Sequence, residues 1–227
     1  MIAIYRACNA EMTSDTFKAE RPEWFDKKKC WLSFYESWIA SQKPRDIHVV
    51  FDGDENCDFA NYIKSFKIGK FVSIDYRNNG LSLLCCYELA NTMTFDGIYF
   101  IEDDYIHTKE AIQMLKNGVD AFQDFMITLY DHPDRYTRDD DVTRGRESIY
   151  MNQDCHWRTA ESTTCTVAMS NKTFNNIIKD MMVFSNQDRQ MFRHFVNRGV
   201  RLLTPITGQA THVNKFFMSP FKNWEKI

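Results

Sequence analysis

Three consecutive carboxylates, Glu102-Asp103-Asp104, follow directly on the apolar run Gly97-Ile98-Tyr99-Phe100-Ile101. Like charges held that close repel one another, so the trio is costly unless water solvates it or a cation neutralises it. A hard divalent ion suits the role: Mn²⁺ or Mg²⁺ takes oxygen ligands and keeps open positions for substrate phosphates. A solvated acidic turn, or a helix start in which Asp104 caps and Glu110 complements the dipole, uses the same residues without a ligand. The placement at the end of a buried strand favours the metal.

The elements that must position these residues are legible as alternation. Apolar runs at 2–8, 47–51, 71–74 and 97–101 read as short buried strands, and 30–41, 59–66 and 81–93 carry apolar residues at helical spacing. Strand alternating with helix implies a mostly parallel sheet covered by helices, because parallel neighbours need a crossover connection. Ligands of such sheets bind beyond the carboxyl ends of the strands, where Asp52, Asp54 and residues 102–104 fall. The second half reads as a helix at 108–123, a strand at 125–129, a long polar stretch at 131–160, a strand at 163–169, helices at 172–182 and 187–197, and a short strand at 201–203. Loops as long as 131–160 are usually lids, binding segments or mobile linkers. One domain is expected for 227 residues.

Phe100-Ile101-Glu102-Asp103-Asp104-Tyr105 resembles the DxD region of GT-A glycosyltransferases, in its E-D-D form, and the order of elements over residues 1–110 is similar to theirs. An initial strand ends in Arg6-Ala7-Cys8-Asn9, a second in Asp52-Gly53-Asp54, and Arg77-Asn78-Asn79-Gly80 opens a helix. The resemblance, family-2-like in type, implies a GT-A (Rossmann-like) α/β fold: a mixed, mostly parallel sheet flanked by helices in a single domain. Residues 1–110 would form the nucleotide-sugar half and 111–227 the acceptor half.

It further implies a role for each matching residue. Asp104, His212 and Glu102 would hold the metal; Arg6, Asp52, Asp54, Arg77, Asn78 and Asp103 would contact the donor nucleotide and its phosphates. Asp188, in Asn186-Gln187-Asp188-Arg189-Gln190, would be the catalytic base, although family members often read E-D where this chain has Gln187-Asp188. Trp157, Glu161 and Thr163 would bind sugar or acceptor, an indole lying flat on a sugar ring. Each has a plainer reading beside it. Asp52 and Asp54 can make an Asx turn around Gly53, Arg77 can be a surface cation beside Asp75, and Asp188 can be a first-turn carboxylate. Trp157 can anchor the core, and His212 can be a hydrogen-bonded structural residue.

The implied activity is metal-dependent transfer of a sugar from a nucleotide diphosphate donor, UDP-linked by expectation, to a hydroxyl on a glycan, a small molecule or a hydroxymethylated base in viral DNA. Two rivals stand beside it. A sugar nucleotidyltransferase uses a related sheet and a metal, but usually carries a glycine-rich basic loop after its first strand, and Asn9-Ala10-Glu11-Met12-Thr13 is not one. A catalytically silent nucleotide- or carbohydrate-binding domain is the other.

Composition narrows the classes further. A net charge of -3 gives no uniformly basic surface for nucleic acid. Two local clusters, Lys27-Lys28-Lys29 and Arg135 to Arg146 with Asp139-Asp140-Asp141, read as solvated surface. Seven cysteines without a C-x-x-C pair fit a reducing compartment. The chain has neither a signal-peptide pattern nor a run of membrane-spanning length, so a cytoplasmic protein without a membrane partner is expected.

Overall fold

The first strand sits at the centre of the molecule, and the reason lies in its alternation. In β1 (Ile2–Cys8), Ala3, Tyr5 and Ala7 enter one hydrophobic core while Ile2 and Ile4 enter another on the opposite face. A strand buried on both faces needs helices above and below it. The computed structural model, which describes residues 1–9, 20–137, 147–185 and 187–227, supplies them.

Three further strands lie parallel to β1: β2 (Ile47–Asp52), β3 (Phe71–Ile74) and β4 (Gly97–Glu102). The connecting helices are α1 (Lys27–Ile39), α2 (Asp58–Lys64) and α3 (Asn79–Asn91). Trp31, Phe34 and Trp38 of α1, with Phe59 and Ile63 of α2, cover one face, and Leu83, Cys86 and Tyr87 of α3 cover the other. The strand order β3-β2-β1-β4 reverses direction at β1, which opens a crevice between the ends of β1 and β4.

The later elements are β5 (Tyr105–His107), α4 (Ala111–Ala121), β6 (Met126–Ile127), α5 (Asp134–Thr137), β7 (Ile149–Met151), β8 (His156–Ala160), β9 (Val167–Ser170), α6 (Asn171–Phe184), α7 (Asp188–Asn197), β10 (Leu202–Ile206) and β11 (Ala210–His212). Among the described residues nine strands join in one sheet, β3-β2-β1-β4-β9-β6-β10-β8-β7, and β11 pairs with β5 in a separate ribbon. Beyond β4 the sheet is mixed: β9 runs antiparallel to β4 and β6, β10 is parallel to β6, and β8 is antiparallel to β10 and β7. The α/β architecture expected from the sequence is therefore present, parallel through its first four strands and mixed after them.

Two expectations are corrected. The stretch 131–160 is not an unbroken loop: its described part holds α5 and the β7–β8 hairpin, whose cross-strand pairs run from Ile149 with Arg158 to Met151 with His156. The strand expected at 163–169 begins only at Val167. Ala10 to Thr13, Asn186 and the Arg138–Arg146 part of the second charge cluster lie outside the described residues. No described helix is long and apolar enough to cross a membrane, and all seven cysteines are free thiols.

Candidate active site

Each carboxylate of the acidic trio meets its own cation. Arg6 lies opposite Glu102 in the register of β1 and β4, so the two side chains project to the same side, and the Arg6 guanidinium pairs with Glu102. Arg6 also donates to the Asn79 carbonyl at 3.1 Å and the Ser82 hydroxyl at 3.2 Å, which ties the end of β1 to the start of α3. The other Glu102 oxygen accepts from the Thr166 hydroxyl at 3.3 Å. Burial raises the Glu102 carboxyl above its ordinary range, against the opposing pull of Arg6.

Asp103 turns toward the end of β1. Its Oδ2 accepts from the Cys8 backbone N–H at 2.9 Å and from Lys27 Nζ at 2.9 Å. Lys27 starts α1, capped by Asp26, whose carboxylate accepts from the Lys28 N–H at 2.8 Å. The Lys27-Lys28-Lys29 cluster is thus not wholly a solvated face, since its first member reaches into the crevice. Burial would lower the ammonium's pKa, but Asp103 outweighs it and holds Lys27 charged.

Asp104 lies between a cation and an imidazole. The β5–β11 ribbon sets His212 opposite Tyr105, and the Val213 N–H donates to the Asp104 carbonyl at 2.9 Å. His212, 108 residues away in sequence, thereby comes within 2.8 Å of Asp104 Oδ2 through its Nε2. Arg21 donates to the same oxygen at 2.7 Å and pairs with the Val213 carbonyl. Burial alone would raise the Asp104 carboxyl, but His212 and Arg21 outweigh it and hold it well below the carboxylate range. His212 is correspondingly raised: Asp104 overcomes the burial that would otherwise lower it.

Asp188 opens α7 and accepts from the Cys165 thiol at 3.1 Å. It lies close enough to Arg6 and Glu102 for their charges to act on one another. Burial raises its carboxyl above the usual value. A half-buried carboxyl with a raised proton affinity, facing a cleft, has the properties of a general base or acid.

Other predicted residues fall elsewhere. Asp52 is 3% exposed, and its two oxygens accept from the N–H groups of Arg77 at 2.8 Å and Asn78 at 3.2 Å, so it braces the loop between β3 and α3. That brace suits Arg77, whose φ of 49° is unusual for a residue with a side chain. The Arg77 guanidinium points to the surface and pairs with Asp75 at 2.9 Å. Asn78 is the N-cap of α3, accepting from the Leu81 N–H at 3.0 Å. Asp54 is exposed and accepts from the Asn56 N–H at 2.9 Å, an Asx turn. Gly53 packs so closely on Asn9 that a Cβ would meet its Oδ1 at 2.2 Å, which joins the loops after β1 and β2.

The expected sugar contacts are corrected. Trp157 is 0% exposed, donates to Asn152 at 3.0 Å and packs edge-on to Phe122, so no sugar can reach its face. Glu161 is likewise sealed, ion-paired with Arg193, with Arg189 at 3.6 Å and with Arg135 at 3.7 Å. Thr163 donates inward to the Thr128 hydroxyl at 3.3 Å. His132 and Asp134 close a turn on each other, as the Tyr-Asp-His-Pro sequence suggests.

Among the described residues no group of three His, Cys, Asp or Glu side chains is placed to hold a metal. Glu102 does not join Asp104, because Arg6 and Thr166 hold its two oxygens. The Asp104–His212 pair would nevertheless offer one hard oxygen and, once His212 gives up the proton it holds toward Asp104, one imidazole nitrogen, and Asp104 Oδ1 is buried without a hydrogen-bond partner. That donor set fits Mn²⁺ with phosphate oxygens and water completing the shell. Arg21 and Thr166 were not legible as site residues; no local pattern marks a partner that the fold brings from across the chain.

Neither the family models nor the curated proteins compared with the chain give a match. Among solved structures the chain is similar to CMP:2-keto-3-deoxy-manno-octonic acid synthetase complexed with CTP, at 11% identity and a TM-score of 0.49, over 89% of this chain and 88% of that one. A likeness of that degree carries no argument about function.

Proposed function

We propose that the chain is a glycosyltransferase that takes a sugar from a nucleotide diphosphate donor bound across the ends of β1 and β4. The observation that carries this reading is the approach of His212 Nε2 to within 2.8 Å of Asp104 Oδ2 just past β4, where the strand order reverses, with Asp188 near enough to interact electrostatically with Arg6 and Glu102. Asp104 and His212 would hold Mn²⁺ or Mg²⁺. A divalent ion at that point supplies Lewis-acid stabilisation to a departing diphosphate.

The chain's own groups do the rest. Lys27 and Arg21 add positive charge where the leaving group's negative charge develops, which lowers the barrier to its departure. Asp188 takes the proton of the acceptor hydroxyl as that oxygen attacks the anomeric carbon, while the bond to the diphosphate breaks with its electron pair on the leaving oxygen. Arg6 fixes Glu102 beside this base. Burial raises the Asp188 carboxyl, which makes its carboxylate a stronger proton acceptor than an exposed one. The acceptor stays a class, a hydroxyl on a glycan, a small molecule or a modified base.

Calorimetry of UDP with and without Mn²⁺ tests the reading. UDP is expected to bind tightly only with the metal, and Asp104→Asn to weaken that binding by about tenfold or more, of the order lost when a charged partner is removed. Equal binding in chelator, or no effect of Asp104→Asn, would contradict it.

A further inference from the structure

The Asp104–His212 point already has a cation on it. Arg21 Nη2 donates to Asp104 Oδ2 at 2.7 Å, and its Nη1 lies 3.3 Å from His212 Nε2. The guanidinium is steadied by the Val213 carbonyl and by the ring of Phe25, 4.6 Å from its carbon. It therefore faces the same oxygen and the same ring nitrogen that a divalent ion would take. An imidazole nitrogen has a single lone pair, and Asp104 Oδ2 already has Arg21 and His212 on it, so a divalent ion must displace one of them.

Charge balance points the same way. Glu102 with Arg6, Asp103 with Lys27 and Asp104 with Arg21 make three matched pairs before any ion enters. A free divalent ion meets a cluster with little net negative charge to attract it. An ion accompanied by a sugar-linked diphosphate enters as a neutral pair, and brings an anion that a displaced guanidinium can bind in forked geometry. The resting pairing is also incomplete: Arg21 Nε, Arg6 Nε and Asp104 Oδ1 are buried with no hydrogen-bond partner. Buried polar atoms are rarely left so, and a polar ligand entering beside these three could complete their hydrogen bonds.

We propose that Arg21 is the resident cation of the Asp104–His212 point, excluding a free divalent ion and yielding only when a donor diphosphate offers it a new anionic partner. The proposal rests on the glycosyltransferase reading, whose site it regulates. It makes metal and nucleotide binding mutually dependent: each assists the other, and Arg21 is the coupling element.

Manganese titration of the full chain, read by loss of the free-ion electron paramagnetic resonance signal, tests it without any turnover. Wild type is expected to bind Mn²⁺ weakly alone and about tenfold or more tightly with saturating UDP, within the usual range of coupling. Arg21→Met should bind Mn²⁺ alone about tenfold more tightly than wild type, with the UDP effect shrinking by the same factor, because the coupling is reciprocal. Arg21→Gln, a milder change, carries the same expectation should Arg21→Met fold poorly, and Arg21→Lys, which keeps the cation, should stay near wild type. An Arg21→Met or Arg21→Gln protein that binds Mn²⁺ alone no better than wild type, while wild type still responds to UDP, overturns the role of Arg21 only. A wild type that binds neither Mn²⁺ nor UDP overturns the functional reading together with it.

Discussion

At the ends of β1 and β4 the side chains of Asp103 and Asp104 are 12% and 17% exposed, each against a cation. Near the end of β8, Glu161 and Asp131 are 0% exposed, Glu161 among Arg135, Arg189 and Arg193, Asp131 against Arg158 at 2.8 Å. Both neighbourhoods neutralise buried or nearly buried carboxylates with cationic side chains, chiefly guanidinium groups. They differ in access. The first lies where the strand order reverses and keeps some solvent access, so that under the proposed function a substrate would exchange with its cations. The second is closed over by α5 and α7, and its ion pairs hold those helices to the sheet. Exposure, more than residue type, separates reagent from scaffold.

The largest expected effect lies on the open side. Asp188→Asn keeps the shape of the helix start and removes the base, so turnover should fall roughly 10²- to 10⁴-fold while UDP binding persists. Because burial raises the Asp188 carboxyl, and a base must be deprotonated, wild-type kcat/KM should decline as pH drops through a value above the ordinary carboxylate range. A profile flat down to pH values near about 4 removes Asp188 from the chemistry.

Next comes the closed side. Trp157→Ala should cost about 3–5 kcal/mol of stability in urea unfolding, the usual range for emptying an aromatic core site. Donor affinity of the folded fraction should be unchanged. Lost affinity with intact stability would return Trp157 to the binding surface and break the contrast between the two regions. The smallest effect belongs to a residue whose sequence context suggested phosphate contact: Asn78→Ala removes the cap of α3 and should cost about 1 kcal/mol. A larger fall in UDP affinity than in stability would show that Asn78 reaches the ligand.

Residues that act locally were the readable ones. β1, β2, β3 and β4 follow the apolar runs within a residue, because a strand covered on both faces must be continuously apolar. α3 and α7 begin where the sequence breaks with Asn78-Asn79-Gly80 and Gln187-Asp188. β5, β7, β8 and β11 were not legible: three to five residues long, they are strands only because a partner elsewhere in the chain completes the ladder. The site divides along the same line. Glu102, Asp103 and Asp104 stood out by type and position and Asp188 through the resemblance, whereas Arg21, 83 residues from Asp104, had no local mark, and Lys27, 76 from Asp103, was marked only as one of three lysines that read as solvated surface. Trp157 and Glu161 misled because solvent access is a property of the assembled layers.

Mass spectrometry of the pure protein incubated with Mn²⁺ and a panel of nucleotide sugars reaches the central claim most directly. The account predicts that at least one donor is split at its sugar–diphosphate bond, giving a nucleoside diphosphate and a free or transferred sugar, and that Asp188→Asn does not do so. Donors left intact, with nucleoside triphosphate and sugar phosphate instead joined and pyrophosphate released, would contradict it and assign the crevice to nucleotidyl transfer.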